Sequence, residues 1–383
     1  MVYGASGYTG ELVAKLAVQR GELPVLAGRS AAKIEPLADR LGCPHVVVDL
    51  ENRRALRKAL NDVSVVAHCA GPFAHTSRDM VDACLDTGTH YLDITGEIDV
   101  FEEIYARHDE AEQADVVLLP GGGFDVVPSD CLAAMLAQRL LDAEELELAF
   151  TLGGGISGGT LKTAIEGAAA GGRARVGGEL RTVPFGHRSL LAVFPSGPKR
   201  VTAIPWGDVS SAFRSTGIRD ITTYTVVPGG ELIGRGQQLL APLLRMPAVQ
   251  RAGTTLVERL VRGPSEDRQL AGRAELWGRV RNRDGQQVTG TLTTPAAYQL
   301  TADAVVRGVA RLLAGDVAPG AHTPSTAYGA DFVMTLDGAR IGDLPPEEGV
   351  EKPGPQGETA GEPEAPEPPR EPDEPEPPSA PSA

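Results

Sequence analysis

Cysteine is scarce in this chain: Cys43, Cys69, Cys84 and Cys131 stand apart, with no CxxC spacing. Isolated thiols without a secretory leader exclude a disulfide scaffold and point to reduced, mostly buried side chains in a reducing compartment. The seven histidines include no HExxH and no pairing with cysteine at zinc-ligand spacing, so no bound metal is expected. No apolar run approaches the roughly 20 residues needed to cross a bilayer. A cytoplasmic protein is the expectation, with at most a peripheral contact to a membrane surface. Positive charge is also sparse, 36 Lys and Arg against 51 Asp and Glu, and it forms no cluster that would hold nucleic acid.

The net charge of -15 is unevenly placed. From Pro345 to Ala383 eleven acids face only Lys352 and Arg370, so this stretch carries -9 and the first 344 residues only -6. The same 39 residues hold thirteen prolines and almost no large apolar side chains. Such a composition cannot offset the entropy of folding, and a disordered, solubilising tail is expected.

Residues 1–125 alternate short β-branched runs with stretches of helical spacing, the pattern of parallel βαβ units. The runs are Val2–Gly4, Pro24–Ala27, His45–Val48, Val63–Cys69, His90–Ile94 and Val116–Leu119. Between them, helical spacing covers Thr9–Arg20, Ala31–Leu41, Arg53–Leu60, Arg78–Thr87 and Val100–Ala114. Six strands with helices on both faces make a doubly wound Rossmann sheet. The first strand is short, because only Val2 and Tyr3 precede Gly4. It is expected to be clipped, or its start codon assigned too late, at some expense of stability.

Beyond Pro120 the pattern changes to that of a second α+β domain, residues 126–344, with a mainly antiparallel sheet. A helix is expected over Ser129–Leu141, a strand over Glu145–Thr151, and a glycine-rich turn leading to a helix from Thr160. Strands follow at Ile221–Val227, Gly272–Arg281 and Gln287–Leu292, the last two joined across Asp284-Gly285, a hairpin signal. A helix over Ala296–Leu313 closes the domain, and it and the final strand could return to the first sheet.

Gly4-Ala5-Ser6-Gly7-Tyr8-Thr9-Gly10 is a GxxGxxG turn between the first strand and the first helix. Glycines there let the chain turn sharply and bring amide N–H groups to a pyrophosphate, which rests on the positive end of the helix. After the second strand a dinucleotide site selective for NAD carries Asp or Glu, which accepts from the ribose 2'-hydroxyl. Here Arg29 and Ser30 stand in that place, with Lys33 one turn on. A guanidinium suits a 2'-phosphate, so NADP is the expected cofactor. Asp49 after the third strand is placed to flank the adenine. Ala70, Gly71 and Pro72 after the fourth are placed beneath the nicotinamide ribose.

Several longer motifs resemble the saccharopine dehydrogenase-like oxidoreductases: Ala70-Gly71-Pro72-Phe73, Val81-Asp82-Ala83-Cys84, Gly88 through Glu97, and Gly123 through Asp130. Gly158-Gly159-Thr160, Gly263-Pro264-Ser265, Thr323-Pro324-Ser325 and Tyr328-Gly329 support the likeness, which spans about residues 1–338. Within that family the chain resembles the trans-acting enoyl reductase branch. The resemblance implies hydride delivery from NADPH to the β-carbon of an enoyl thioester on a polyketide- or lipid-linked intermediate. Two alternatives stay open, an imine oxidoreductase acting on an amino-acid substrate and a non-catalytic NADP-binding protein associated with lipid. An amino-acid substrate with two carboxylates calls for an arginine cluster, for which Arg173, Arg175, Arg181 and Arg188 are the candidates.

For the proton or oxyanion part of the chemistry the candidates are His75, just beyond Gly71-Pro72, and Asp125, which follows three glycines. Asp93 and Glu97 are read as structural or cofactor-orienting, and Tyr91 as core. Free N–H groups at the start of the helix from Thr160 could hold a substrate carbonyl. Gln238–Arg262 mixes leucines with Arg245, Arg251, Arg259 and Arg262; packing within the second domain or on a partner subunit is weighed above a membrane surface. A homodimer is expected by analogy with such two-domain folds.

Overall fold

The computed structural model describes residues 1–152, 171–227 and 272–344. The glycine-rich turn, the helix expected from Thr160, the basic amphipathic stretch 238–262, Gly263-Pro264-Ser265 and the acidic tail lie outside the described residues.

Two sheets are built within the compact unit Met1–Pro346. The first contains β1 (Val2–Tyr3), β2 (Leu26–Gly28), β3 (His45–Val47), β4 (Val65–His68), β5 (His90–Asp93) and β6 (Val117–Leu119). Their connections are α1 (Tyr8–Gln19), α2 (Ala31–Leu41), α3 (Arg53–Leu60), α4 (Phe73–Thr87), and the pair α5 (Ile98–Tyr105) and α6 (His108–Gln113). All pairings are parallel in the order β6-β5-β4-β1-β2-β3, so each helix crosses over one face. The sheet is buried on both sides, with Val65, Val66, Ala67, Tyr91, Leu92, Leu118 and Leu119 nearly inaccessible. The short β1 lies in mid-sheet, between β4 and β2, and the Met1 amine donates to the Val65 carbonyl at 2.8 Å.

The second sheet follows α7 (Val127–Ala137). It contains β7 (Glu145–Leu152), β8 (Gly172–Val176), β9 (Glu179–Val183), β10 (Ser189–Phe194) and β11 (Gly197–Ile204). After α8 (Asp208–Thr216) come β12 (Asp220–Thr225), β13 (Ala274–Arg281) and β14 (Gln287–Thr294). The path is β10-β11-β12-β7-β13-β14, antiparallel except between β12 and β7. One face, with Leu146, Leu148, Ile221 and Val280, joins the core formed with Leu132 and Leu136 of α7 and Val209 of α8.

The chain then returns to the first sheet. Helix α9 (Ala297–Ala314) packs along α1, and β15 (Gly320–Ala321) adds a seventh parallel strand beside β6. A short α10 (Pro324–Tyr328), capped by Thr323, and β16 (Arg340–Ile341) on the edge of the second sheet complete the described fold. Pattern and structure differ in places. The helical stretch Val100–Ala114 is broken at Ala106–Arg107, where Arg107 turns to Asp82 and Glu110. Helix α4 begins five residues before the expected Arg78, for a reason found in the site.

Candidate functional site

The turn after β1 is shaped by contacts that only glycine permits. Gly4 has φ +79°, and a Cβ on it would come within 2.8 Å of Ala70. A Cβ on Gly10 would come within 2.3 Å of the Gly4 oxygen. Both contacts are with atoms that cannot yield, so the turn and the first turn of α1 are locked against β4. Gly7 is different: its backbone is ordinary (φ -79°, ψ 162°) and a Cβ would approach only the Gly4 oxygen, at 3.3 Å. Gly7 and Tyr8 are exposed, and α1 has no side-chain cap. A helix start left open in this way is a place for an anion.

Around it lie the other residues expected from the sequence. Ser6 and Thr9 are half-buried beside Gly7. Arg29 and Lys33 are exposed past the end of β2, and neither forms an ion pair with a described residue. Ser30 is the N-cap of α2. Asp49 is exposed after β3 and accepts from the Glu51 amide at 3.1 Å. Ala70 abuts Gly4, while Gly71 and Pro72 stand exposed at the end of β4. These positions share the carboxyl edge of the first sheet, because parallel strands put all their following loops on one side. His75 lies on the first turn of α4 with its side chain exposed.

Glycines that a Cβ would jam, an uncapped helix start and a guanidinium without an ion-pair partner among the described residues together fit a dinucleotide carrying an extra phosphate. A family comparison bears on the same residues. Residues 1–119 match the family described as the saccharopine dehydrogenase NADP binding domain. Over residues 1–119 the chain is thus similar to that NADP-binding domain.

Curated relatives match a third or more of the chain. The saccharopine dehydrogenase-like oxidoreductase of Mus musculus is 31% identical over 150 residues, 34% of this chain and 35% of its own length. A trans-acting enoyl reductase of Mycobacterium leprae (strain TN) is 32% identical over 160 residues, 39% of this chain and 38% of its own. The chain thus matches little more than a third of the length of either relative. The apo saccharopine dehydrogenase (L-Glu forming) from Saccharomyces cerevisiae superposes with a TM-score of 0.60 over 89% of this chain and 99% of its own. At 13% identity that likeness is one of fold.

Acids gather at the carboxyl ends of β5 and β6. Asp93, fully buried at the end of β5, accepts from the Tyr91 hydroxyl (2.6 Å) and the Thr95 and Gly121 amides (2.9 and 2.8 Å). Burial still pushes its carboxyl up to about 6. Glu97 accepts from the Phe73 and Ala74 amides, both at 2.8 Å. It caps α4 from a distant loop, and this is why the helix begins at Phe73. Asp125 is half-buried against Gly96, whose Cβ would come within 2.9 Å of its carboxylate. Its carboxyl has no hydrogen-bond partner among the described residues, and desolvation pushes it up to about 6.

Some residues that shape the site carry little sequence signal. His68 is fully buried at the end of β4, with Nε2 3.1 Å from the Thr76 hydroxyl, which donates to the Ala70 carbonyl at 2.7 Å. Burial drives its imidazole down to about 3, so it stays neutral and braces the Ala70 loop. Trp206, from the loop before α8, donates its indole N–H to the Asp125 carbonyl at 2.8 Å. Its ring lies 4.8 Å from Phe150, which stands edge-on to Phe124. Asp130 and Asp208, buried where α7 meets α8, have carboxyls raised by burial.

The arginines offered for a dicarboxylate are engaged elsewhere. Arg173 pairs with Asp99, Arg175 with Glu102 and the Val209 carbonyl, Arg181 with Glu179, and Arg188 with Glu145.

Proposed function

We propose that the protein is an NADPH-dependent reductase of an enoyl double bond on a polyketide- or lipid-linked intermediate, working in lipid or glycolipid biosynthesis. The observation that carries this reading is Asp125: a half-buried carboxyl near 6, without a cationic partner among the described residues, next to the Phe124–Phe150–Trp206 cluster. An apolar acyl group fits beside such rings. The imine alternative loses support because the four candidate arginines are already neutralised.

Gly7 and the first-turn amides of α1 would hold the pyrophosphate of NADPH, and Arg29 with Lys33 the 2'-phosphate. When bound, the cofactor supplies a hydride for the β-carbon of the substrate. The chain's task is to position and to handle the proton. Asp125 carries its proton on a carboxylate oxygen and releases it to the α-carbon. A carboxyl that titrates near 6 sits close enough to working pH to lose and regain that proton. Glu97 fixes the start of α4, and with it the Gly71-Pro72 loop and His75. The proposal also includes a homodimer: β10 has no second strand neighbour among the described residues and exposes Leu191 (61%) and Val193 (57%).

The test is NADPH consumption over a panel of enoyl thioesters. Turnover is expected with wild type, with kcat falling about 100-fold or more in Asp125→Asn while NADPH affinity holds. NADPH bound but never consumed, or Asp125→Asn as active as wild type, overturns the proposal.

A further inference from the structure

We propose that Trp206 is the wall along which the substrate's acyl chain lies, and that it sets the chain lengths the site accepts. This rests on the enoyl reading above. Trp206 stands on the short link between β11 and α8, and the link is pressed hard against the cofactor domain. A Cβ on the next residue, Gly207, would come within 2.6 Å of the Phe101 ring and 3.3 Å of the Gly96 oxygen. The loop therefore packs directly on Phe101 and the Thr95–Glu97 turn, with no room for a side chain between them. The indole N–H to the Asp125 carbonyl fixes the ring's rotation, and Phe150 at 4.8 Å backs it on the side of the second sheet.

Within this aromatic cluster the members differ in what they leave open. Phe124 and Phe150 are 6% and 7% exposed, whereas Trp206 is only half-buried. Trp206 is the member left partly accessible, and it lies beside the half-buried Asp125. An acid without a hydrogen-bond partner among the described residues and a partly exposed tryptophan, side by side, suit a substrate with a reacting end and an apolar remainder. The indole is rigid and large, so contact with it is gained at little loss of side-chain freedom. Each methylene the wall covers is worth about a fourfold gain in affinity.

The chain has two tryptophans. Trp277 belongs to the cluster with Ala149 and Tyr224, on the sheet face opposite Phe150. Trp277→Phe therefore leaves Trp206 as the sole indole reporter. Its emission is titrated with saturated acyl-CoA esters of 4, 8, 12 and 16 carbons, which have no double bond to reduce. The expected result is a saturable change in Trp206 emission, with Kd falling about fourfold per methylene until the wall is covered. In turnover with enoyl-CoA esters, Trp206→Leu is expected to flatten the dependence of KM on chain length, with NADPH affinity within about twofold of wild type.

Acyl-CoA binding that leaves Trp206 emission unchanged overturns the inference. So does a length dependence that survives Trp206→Leu, or no binding of any acyl-CoA. Should Trp206→Leu fail to fold, Trp206→Phe and the emission titration, which leaves position 206 intact, still decide. The enoyl reading is judged separately by NADPH consumption: length-dependent emission without consumption sinks that reading alone.

Discussion

Two alanine substitutions three residues apart in the same motif, Gly7→Ala and Gly10→Ala, are expected to fail in opposite ways. At Gly10 the new methyl would lie 2.3 Å from the Gly4 oxygen and 2.9 Å from the Ala5 Cα. Gly4 cannot retreat, because its amide donates to the Ala27 carbonyl at 2.8 Å and its own Cα faces Ala70. Overpacking of this kind costs about 1–3 kcal/mol, and with backbone on both sides the upper end applies. Thermal unfolding of the apo protein should drop by roughly 5 °C. At Gly7 the backbone angles suit alanine and the nearest contact is 3.3 Å, so stability should stay within about 1 kcal/mol of wild type. The methyl instead stands over the helix start, and calorimetric titration should show NADPH affinity down at least about tenfold, or about 1.4 kcal/mol. Wild-type affinity in Gly7→Ala would refute the placement of the pyrophosphate, and wild-type stability in Gly10→Ala would refute the locked turn.

The other expectations concern the acids. Asp93 has its carboxyl raised from 3.8 to about 6, so the folded state binds its proton more tightly than the unfolded state. Its contribution is fully present below about pH 4 and is lost as pH rises through 6, on the order of 3 kcal/mol in all. Denaturant titrations from pH 4 to 7.5 should show the stability difference between wild type and Asp93→Asn changing across that window; a constant difference contradicts the assignment. Glu97→Ala leaves the Phe73 and Ala74 amides uncapped and should lower stability by about 1–2 kcal/mol. Hydrogen exchange at Phe73–Thr76 should accelerate in that variant, and unchanged exchange there would contradict the cap.

The parallel sheet was legible because its strands are short apolar runs bounded by turns and its crossovers carry helical periodicity. Helices α2 and α3 fall at Ala31–Leu41 and Arg53–Leu60, the bounds their periodicity predicts. The start of α4 was not legible, since its cap is a carboxylate more than twenty residues away, and no local pattern encodes such a partner. Strands β8 to β11 were missed for another reason. They lie in a stretch, Gly172 to Ile204, with no consistent period-2 pattern, and their pairing is decided by the sheet they join. In the site, the glycines and Arg29 speak through a motif. Trp206 and His68 do not, because each matters only through what the fold brings beside it: the Asp125 carbonyl for one, Thr76 and the Ala70 loop for the other.

The central claim is that the open start of α1 holds a dinucleotide and that Arg29 selects the phosphorylated ribose. Calorimetric titration of wild type and Arg29→Ala with NADPH and NADH tests it directly. Wild type should prefer NADPH, and Arg29→Ala should lose about tenfold or more of NADPH affinity while NADH binding stays nearly unchanged. Equal affinity of wild type for both nucleotides, or an equal loss of both in the variant, would contradict it.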